Sequence, residues 1–203
     1  MDCMRIARRT IFVGLIILLG GCGVNSVVVE GAYPTPNIRP FPLTLGVYFD
    51  DELKNYTYIE YSEEGKEEYA VSTGQTHVDL FESVLPAMFE QVVILDDLAA
   101  ADSAGVDAVF SPHIEEFQLA LPQKTRLDAY EVWVKYNMTL LSPDGDSIAD
   151  WIVTSYGKTP TESLLSAESG INDATVGALR DLASNFSLGF AAVPEVREWL
   201  EAQ

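Results

Sequence analysis

Cysteine is nearly absent from this chain of 203 residues: Cys3 and Cys22 are the two present. From Gly23 onward no disulfide, thiol nucleophile or cysteine-based zinc site can form, so the fold must stand on its hydrophobic core. Histidine is equally scarce, with His77 and His113 alone, too few for a histidine-built metal centre. Basic residues are outnumbered, 12 against 31 acidic, for a net charge of −19. Such a surface repels phosphates, which argues against nucleic acid and anionic head groups as partners. It favours solubility and cationic partners. No apolar run approaches the roughly 20 residues of a bilayer-spanning helix. Missing too are a Gly-x-Ser-x-Gly elbow, a glycine-rich phosphate loop and a His-Glu-x-x-His pair. No cofactor is expected.

What is present begins at the N-terminus. Arg5, Arg8 and Arg9 precede the apolar run Ile11–Leu19, and small residues follow at Gly20 and Gly21. That is the order of a secretory signal, and the run is too short to serve as a permanent span. The stretch Leu19-Gly20-Gly21-Cys22 resembles the lipobox of bacterial lipoprotein precursors. The resemblance implies diacylglycerol on the Cys22 thiol, cleavage just before it, and acylation of the new N-terminus. Two acyl chains give stable anchoring. Residues 1–21 are then a signal peptide. Gly23 stands where, by the same resemblance, Asp would favour retention in the inner membrane. The expected location is therefore the periplasmic face of the outer membrane rather than the inner one. The removed segment holds three of the 12 basic and one of the 31 acidic residues, leaving nine against thirty, a charge of −21.

Residues 22–42 read as the lipidated cysteine and a proline-rich tether. Pro34, Pro36, Pro40 and Pro42 oppose helix, and some 20 extended residues at about 3.1 Å each would reach roughly 60 Å. Residues 43–203 read as a single periplasmic domain. Leu43, Leu45, Val47 and Phe49 alternate with Thr44, Gly46 and Tyr48, the period of a strand with one buried face. Tyr56–Tyr61 and Tyr69–Ser72 look like short strands about an acidic loop. Phe81, Val84, Leu85, Met88, Phe89 and Val92 carry helical spacing, interrupted by Pro86, and Val92–Leu95 then reads as a strand or a buried exit. Ala108–Leu121 reads as a long strand in which Pro112 suggests an edge or a bulge. Tyr130–Leu140 and Ile148–Tyr156 flank the turn Ser142-Pro143-Asp144-Gly145-Asp146, the clearest hairpin signal in the chain. A helix from about Asn172 to Phe190 and a short one from Pro194 complete the order. The class implied is α+β: a mostly antiparallel sheet with two main helices on one face and a short C-terminal helix.

In this order of elements the chain resembles the YajG-type lipoproteins and, more distantly, auxiliary and assembly lipoproteins of envelope lipid-transport systems. The features that match are the lipobox Leu19–Cys22, the strand Leu43–Phe49, the helix Val78–Val92, the hairpin Tyr130–Tyr156 and the ending Ala174–Leu200. The resemblance implies a non-enzymatic, membrane-anchored module that binds another envelope component. It supplies no catalytic motif to carry over.

The remaining candidates for chemistry are few. His113 and Glu115 share a strand face and could touch a metal, but His77 belongs to another element. Ser155-Tyr-Gly-Lys158 matches Ser-x-x-Lys at the end of a strand, where residues three apart point to opposite faces. Asp50-Asp51, Glu63-Glu64, Glu67-Glu68 and Asp144 with Asp146 are carboxylate pairs without the ligand pattern of a calcium loop. Tyr56, Tyr58, Tyr61 and Trp133 are the candidates for a partner surface, since aromatics are enriched at interfaces. The primary expectation is an accessory lipoprotein that docks an envelope protein by strand addition or helix packing. The alternative is a lipid or apolar-ligand module with a pocket beneath Phe81, Val84 and Met88.

Overall fold

The computed structural model describes residues 24–163 and 166–203. Among them the strands are β1 Asn25–Val28, β2 Phe41–Tyr48, β3 Thr57–Tyr61, β4 Glu67–Ser72, β5 Phe89–Leu95, β6 Ala108–Ala120, β7 Ala129–Leu141 and β8 Ser147–Pro160. The helices longer than one turn are α1 Gly74–Met88, α2 Ala167–Gly189 and α3 Pro194–Glu201. The main sheet has the order β5-β2-β6-β7-β8, and a smaller one has the order β1-β4-β3. The long ladders β6–β7 and β7–β8 are antiparallel, as is β3–β4, whereas β2 takes parallel neighbours on both sides. The α+β class holds.

The β7–β8 hairpin forms for the reasons its sequence announces. Val132, Val134, Tyr136, Met138 and Leu140 are buried, and Trp133 between them is exposed. Gly145 adopts φ +90° in the turn, a conformation that a Cβ would oppose. The Ser142 N–H donates to Asp146 O at 2.8 Å and closes the loop. Pro112 lies where β6 is paired on one side only: β2 contacts β6 at Ala108–Phe110 and no further, while Met138 of β7 faces Pro112 on the other side, an edge-like setting in which proline is tolerated. A bulge follows at Glu115, between the pairs Ile114–Tyr136 and Glu116–Lys135.

Three expectations are corrected. The helix read through Val92 stops at Met88, and Phe89 and Val92 belong to β5, parallel to β2. Pro86 lacks the N–H that would bond back to Glu82, and the run Val92-Val93-Ile94 prefers the pleated surface. Helix α2 begins at Ala167, five residues before Asn172, because the Ser166 hydroxyl accepts from Ser169 N at 3.2 Å and caps it.

The third correction concerns residues 24–42, which are not a free tether. Residues 25–28 pair with β4 as a parallel edge strand, and Val27 and Val29 are buried in the core. Beyond them the Thr76 hydroxyl donates to Val29 O at 2.5 Å, Glu30 N–H to Asn172 Oδ1 at 2.9 Å, and Arg180 Nε to Ala32 O at 3.0 Å. The prolines do enforce an extended path, but that path is a strap across α1 and α2. Buried valines hold it down.

Both main helices and the small sheet cover the same face of the main sheet. Phe81 of α1 meets Phe110 of β6 at 5.4 Å between ring centroids, Tyr136 of β7 at 6.2 Å and Phe186 of α2 at 5.8 Å. Tyr58 of β3 lies 5.0 Å from Phe117 of β6. Across the sheet, a small cluster of Leu95, Ala101, Val106 and Val109 forms at one end under the single turn Ala101–Ala104.

Helix α2 crosses β8 at Gly157, where a Cβ would lie 2.0 Å from Ala174 O and 2.3 Å from Ala178 N. The Gly157→Ala variant is expected to lose about 3 kcal/mol, the upper end for overpacking, because backbone cannot rotate out of the way. Gly189→Ala, with open space at its Cβ, is expected to be neutral or stabilising by up to about 1 kcal/mol. Equilibrium urea unfolding of the two variants beside wild type checks both.

Candidate functional site

Alternation along β6, β7 and β8 sends one set of side chains to the face the helices leave uncovered. Across the strands Gln118, Trp133 and Tyr156 fall in register, then Glu116, Lys135 and Thr154, then Asn137 and Ile152. Trp133 is 40% exposed, Tyr156 39% and Ile152 46%. The Trp133 and Tyr156 rings stand 5.1 Å apart, tilted by 41°. The aromatic pair thus rests on two long paired strands.

Charges frame this pair. The Tyr156 hydroxyl donates to Glu131 Oε1 at 2.5 Å, and Lys158 Nζ lies 3.3 Å from the same oxygen. The hydrogen bond from Tyr156, then Lys158, holds the Glu131 carboxyl below the usual range, while Glu131 pushes the Tyr156 phenol up to about 12. Lys135 pairs with Glu115 at 2.5 Å, the bulge residue. Beside Trp133 is a shallow hollow of about 240 Å³ lined by Glu116, Gln118, Lys135 and Thr154. Such an arrangement can stack, donate and accept hydrogen bonds, and attract cations.

The four aromatics expected as a partner surface do not assemble. Trp133 lies on the uncovered face. Tyr56 and Tyr58 turn inward from the small sheet: Tyr56 edges His77 at 6.0 Å, and the Tyr58 hydroxyl donates to Glu60 Oε2 at 2.6 Å. Tyr61 is 52% exposed but sits on the small sheet, across the core from Trp133. Tyr156 and Ile152 are the residues the sequence reading missed. Counting outward from the Ser142–Asp146 turn would place Ser155 opposite Trp133; the register shift between Leu140 and Leu141 brings Tyr156 there instead, and nothing in the local pattern announces that shift.

The other candidates are dispersed or spent in structure. Ser155 is buried with its hydroxyl toward Val134 O at 3.5 Å, while Lys158 pairs with Glu131 on the outer face. His113 Nδ1 lies 3.6 Å from Asp50 Oδ2, and Glu115 is held by Lys135. Asp50 caps the turn Asp51–Lys54 through Leu53 N, and Asp51 pairs with Lys54. Glu64 pairs with Lys66, and Glu68 with Lys124. Asp144 and Asp146 stand in the hairpin turn. Among the described residues no three His, Cys, Asp or Glu side chains gather as a metal site. Nor is any described helix long and apolar enough to cross a membrane. The pocket expected beneath Phe81, Val84 and Met88 is filled: all three are fully buried, and Phe110, Tyr136 and Phe186 occupy the space around Phe81. Leu19, Gly20, Gly21 and Cys22 lie outside the described residues.

No family model matches the chain, and no curated protein matches it. Solved structures do. A Xanthomonas campestris protein of the domain family DUF330 overlays with a TM-score of 0.53 at 13% identity, covering 81% of this chain and 93% of that one. The two share a fold. A minor lipoprotein of Acinetobacter baumannii overlays at 0.40 and 12% identity, over 76% of this chain and 94% of its own. Rare lipoprotein B of Shewanella oneidensis overlays at 0.41 and 17% identity, over 76% and 98%. Overlays at these last two scores are partial and add nothing to the fold. None of the three singles out the YajG-type lipoproteins.

His77 supplies a pH test. It is fully buried, with Nε2 2.8 Å from Thr73 Oγ1 and Nδ1 2.5 Å from the Tyr136 hydroxyl, and burial pushes its pKa down to about 3. The folded state keeps the ring neutral, whereas the unfolded chain takes up a proton below its ordinary 6.5. Stability is therefore lost as pH falls from 6.5 toward 3, by about 2 kcal/mol over the first two units. Wild type should show this slope above the carboxylate range. His77→Leu should be less stable at neutral pH yet flat across that window, as read by denaturant unfolding at stepped pH.

Proposed function

We propose that this chain is a non-enzymatic accessory lipoprotein of the cell envelope. Residues 1–21 direct export, Cys22 carries the lipid, and the domain lies at the periplasmic face of the outer membrane. The outer face of the β6–β7–β8 ladder, centred on Trp133, Tyr156 and Ile152, docks an envelope protein. The observation that carries this reading is the exposed Trp133–Tyr156 pair, on the part of the sheet face that no described element covers.

The chemistry of the face says what kind of partner fits. An apolar centre with a polar rim is the usual plan of a protein interface. Here the rim holds Glu115, Glu116, Glu131 and Asp150, and its lysines, Lys135 and Lys158, are engaged in ion pairs. A partner that brings an apolar anchor ringed by basic side chains complements it, and the chain's net negative charge would steer such a partner in. An apolar ligand held between helix and sheet finds less support, since the interior is packed with aromatic rings.

Two measurements test the reading. Intact mass and membrane fractionation of wild type beside Cys22→Ser should give an acylated protein in the outer membrane and an unacylated one released from it. A soluble, unacylated wild type sinks the anchor. For the docking face, a photo-crosslinking residue at Ile152 should trap one defined envelope protein in cells. Trp133→Ala should weaken the purified pair by about 2 kcal/mol, roughly 30-fold in Kd. Crosslinks that are diffuse and unchanged by Trp133→Ala would discard this face as the docking site.

A further inference from the structure

The small sheet has an outer face of its own, and it differs from that of the main sheet. Register places Ser26 and Val28 of β1, Ala70 and Ser72 of β4, and Thr57 and Ile59 of β3 on it. Thr57 Oγ1 lies 3.2 Å from Ser72 Oγ, which ties β3 to β4 across this face. None of the six is charged, in a chain of net charge −19. Val28 is an apolar side chain left 65% exposed. Charge borders the face at its two ends: Lys54 lines a hollow with Val28, Thr57 and Ser72, and Glu68, beside Asn25 at the start of β4, lies 3.4 Å from Lys124. The main sheet's outer face, by contrast, alternates Glu116, Glu131 and Asp150 with its lysines.

The position of this face along the chain gives it a meaning. Strand β1 is the edge of the small sheet and begins at Asn25, three residues beyond Cys22. Three extended residues span at most about 10 Å. The segment that follows offers no slack, because Val27 and Val29 are buried and residues 30–33 are bonded to α1 and α2.

We propose that the domain sits directly on its bilayer, with the outer face of the small sheet against the lipid head groups. This inference rests on the lipidation of Cys22 proposed above. An acidic domain held within about 10 Å of a membrane bearing anionic lipids, near the Debye length at 0.1 M salt, is repelled wherever it turns carboxylates toward it. The uncharged face beside the anchor is the orientation that avoids this cost, and Val28 gains by leaving water. The two sheets pack inner face to inner face through Tyr58 and Phe117, so their outer faces point away from each other. Seating the small sheet on lipid turns Trp133 and Tyr156 toward the periplasm.

The test uses the acylated protein purified from membranes and reconstituted into phosphatidylethanolamine vesicles with a minority of phosphatidylglycerol. With Cys3 removed and Cys22 blocked by lipid, Val28→Cys, Thr57→Cys and Ile152→Cys each carry a single thiol for an environment-sensitive fluorophore. A nitroxide quencher on the lipid head group should remove most of the emission at positions 28 and 57 and leave position 152 unchanged. Quenching at 152 but not at 28 and 57, equal quenching at all three, or none at any, overturns the proposed seating. Intact mass on the same samples separates the two ideas. An acylated protein that fails the quenching test refutes the seating alone, while an unacylated one refutes the anchor and the seating together.

Discussion

Phe81 is the side chain on which the layers of this domain converge. Its ring meets Phe49 at the end of β2, Phe110 of β6, Tyr136 of β7 and Phe186 of α2, all within 6.3 Å between centroids. One residue of α1 therefore fixes the height of that helix over the sheet and the position of α2 beside it. The close crossing of α2 over β8 at Gly157 and Gly177 then sets how near the second helix can come. With both helices held, the strap of residues 29–33 has two surfaces to bond across, and the edge strand β1 has a partner in β4.

A core of this kind spends its apolar surface on one side. Helices and small sheet together occupy the inner face of the main sheet, and ring-on-ring packing leaves no room under Phe81 for a ligand. The opposite face is built on the long β6–β7 and β7–β8 ladders, and among the described residues it is covered at the end where Val106 and Val109 lie. Rigid strands make a precise platform for the Trp133–Tyr156 pair, better than a loop would. The candidate chemistry of the sequence was absorbed by structure: carboxylates became caps and ion pairs, His77 a buried hydrogen-bonding link between α1 and β7, and Ser155 a buried residue of β8.

Much of the architecture was legible in the chain. The β7–β8 hairpin could be read because period-two alternation and a Gly-containing turn act locally, within a few residues of one another. The apolar stripe of α2 was legible for the same reason. Residues 81–92 were misread at their end, because an apolar run there fits the helical period while its β-branched tail fits a strand, and pairing with β2 over forty residues away made the choice. The strap was misread because an extended, proline-rich segment looks the same whether it is free or laid across a surface. Its two buried valines were the only clue. The partner surface was half legible: Trp133 stood out against its neighbours, while Tyr56 and Tyr58 turned inward to meet rings that no local pattern could reveal.

The sequence by itself determined the α+β class, the hairpin and its inward face, the lack of cysteine beyond Cys22 and the excess of acidic residues. Each of these is a property of composition or of residues close along the chain. The tertiary structure alone decided where helix gives way to strand after Met88, which aromatics remain in water, and that the N-terminal segment lies bound to the domain. Those outcomes depend on contacts between residues far apart in the chain, whose free energies compare only once the layers have packed.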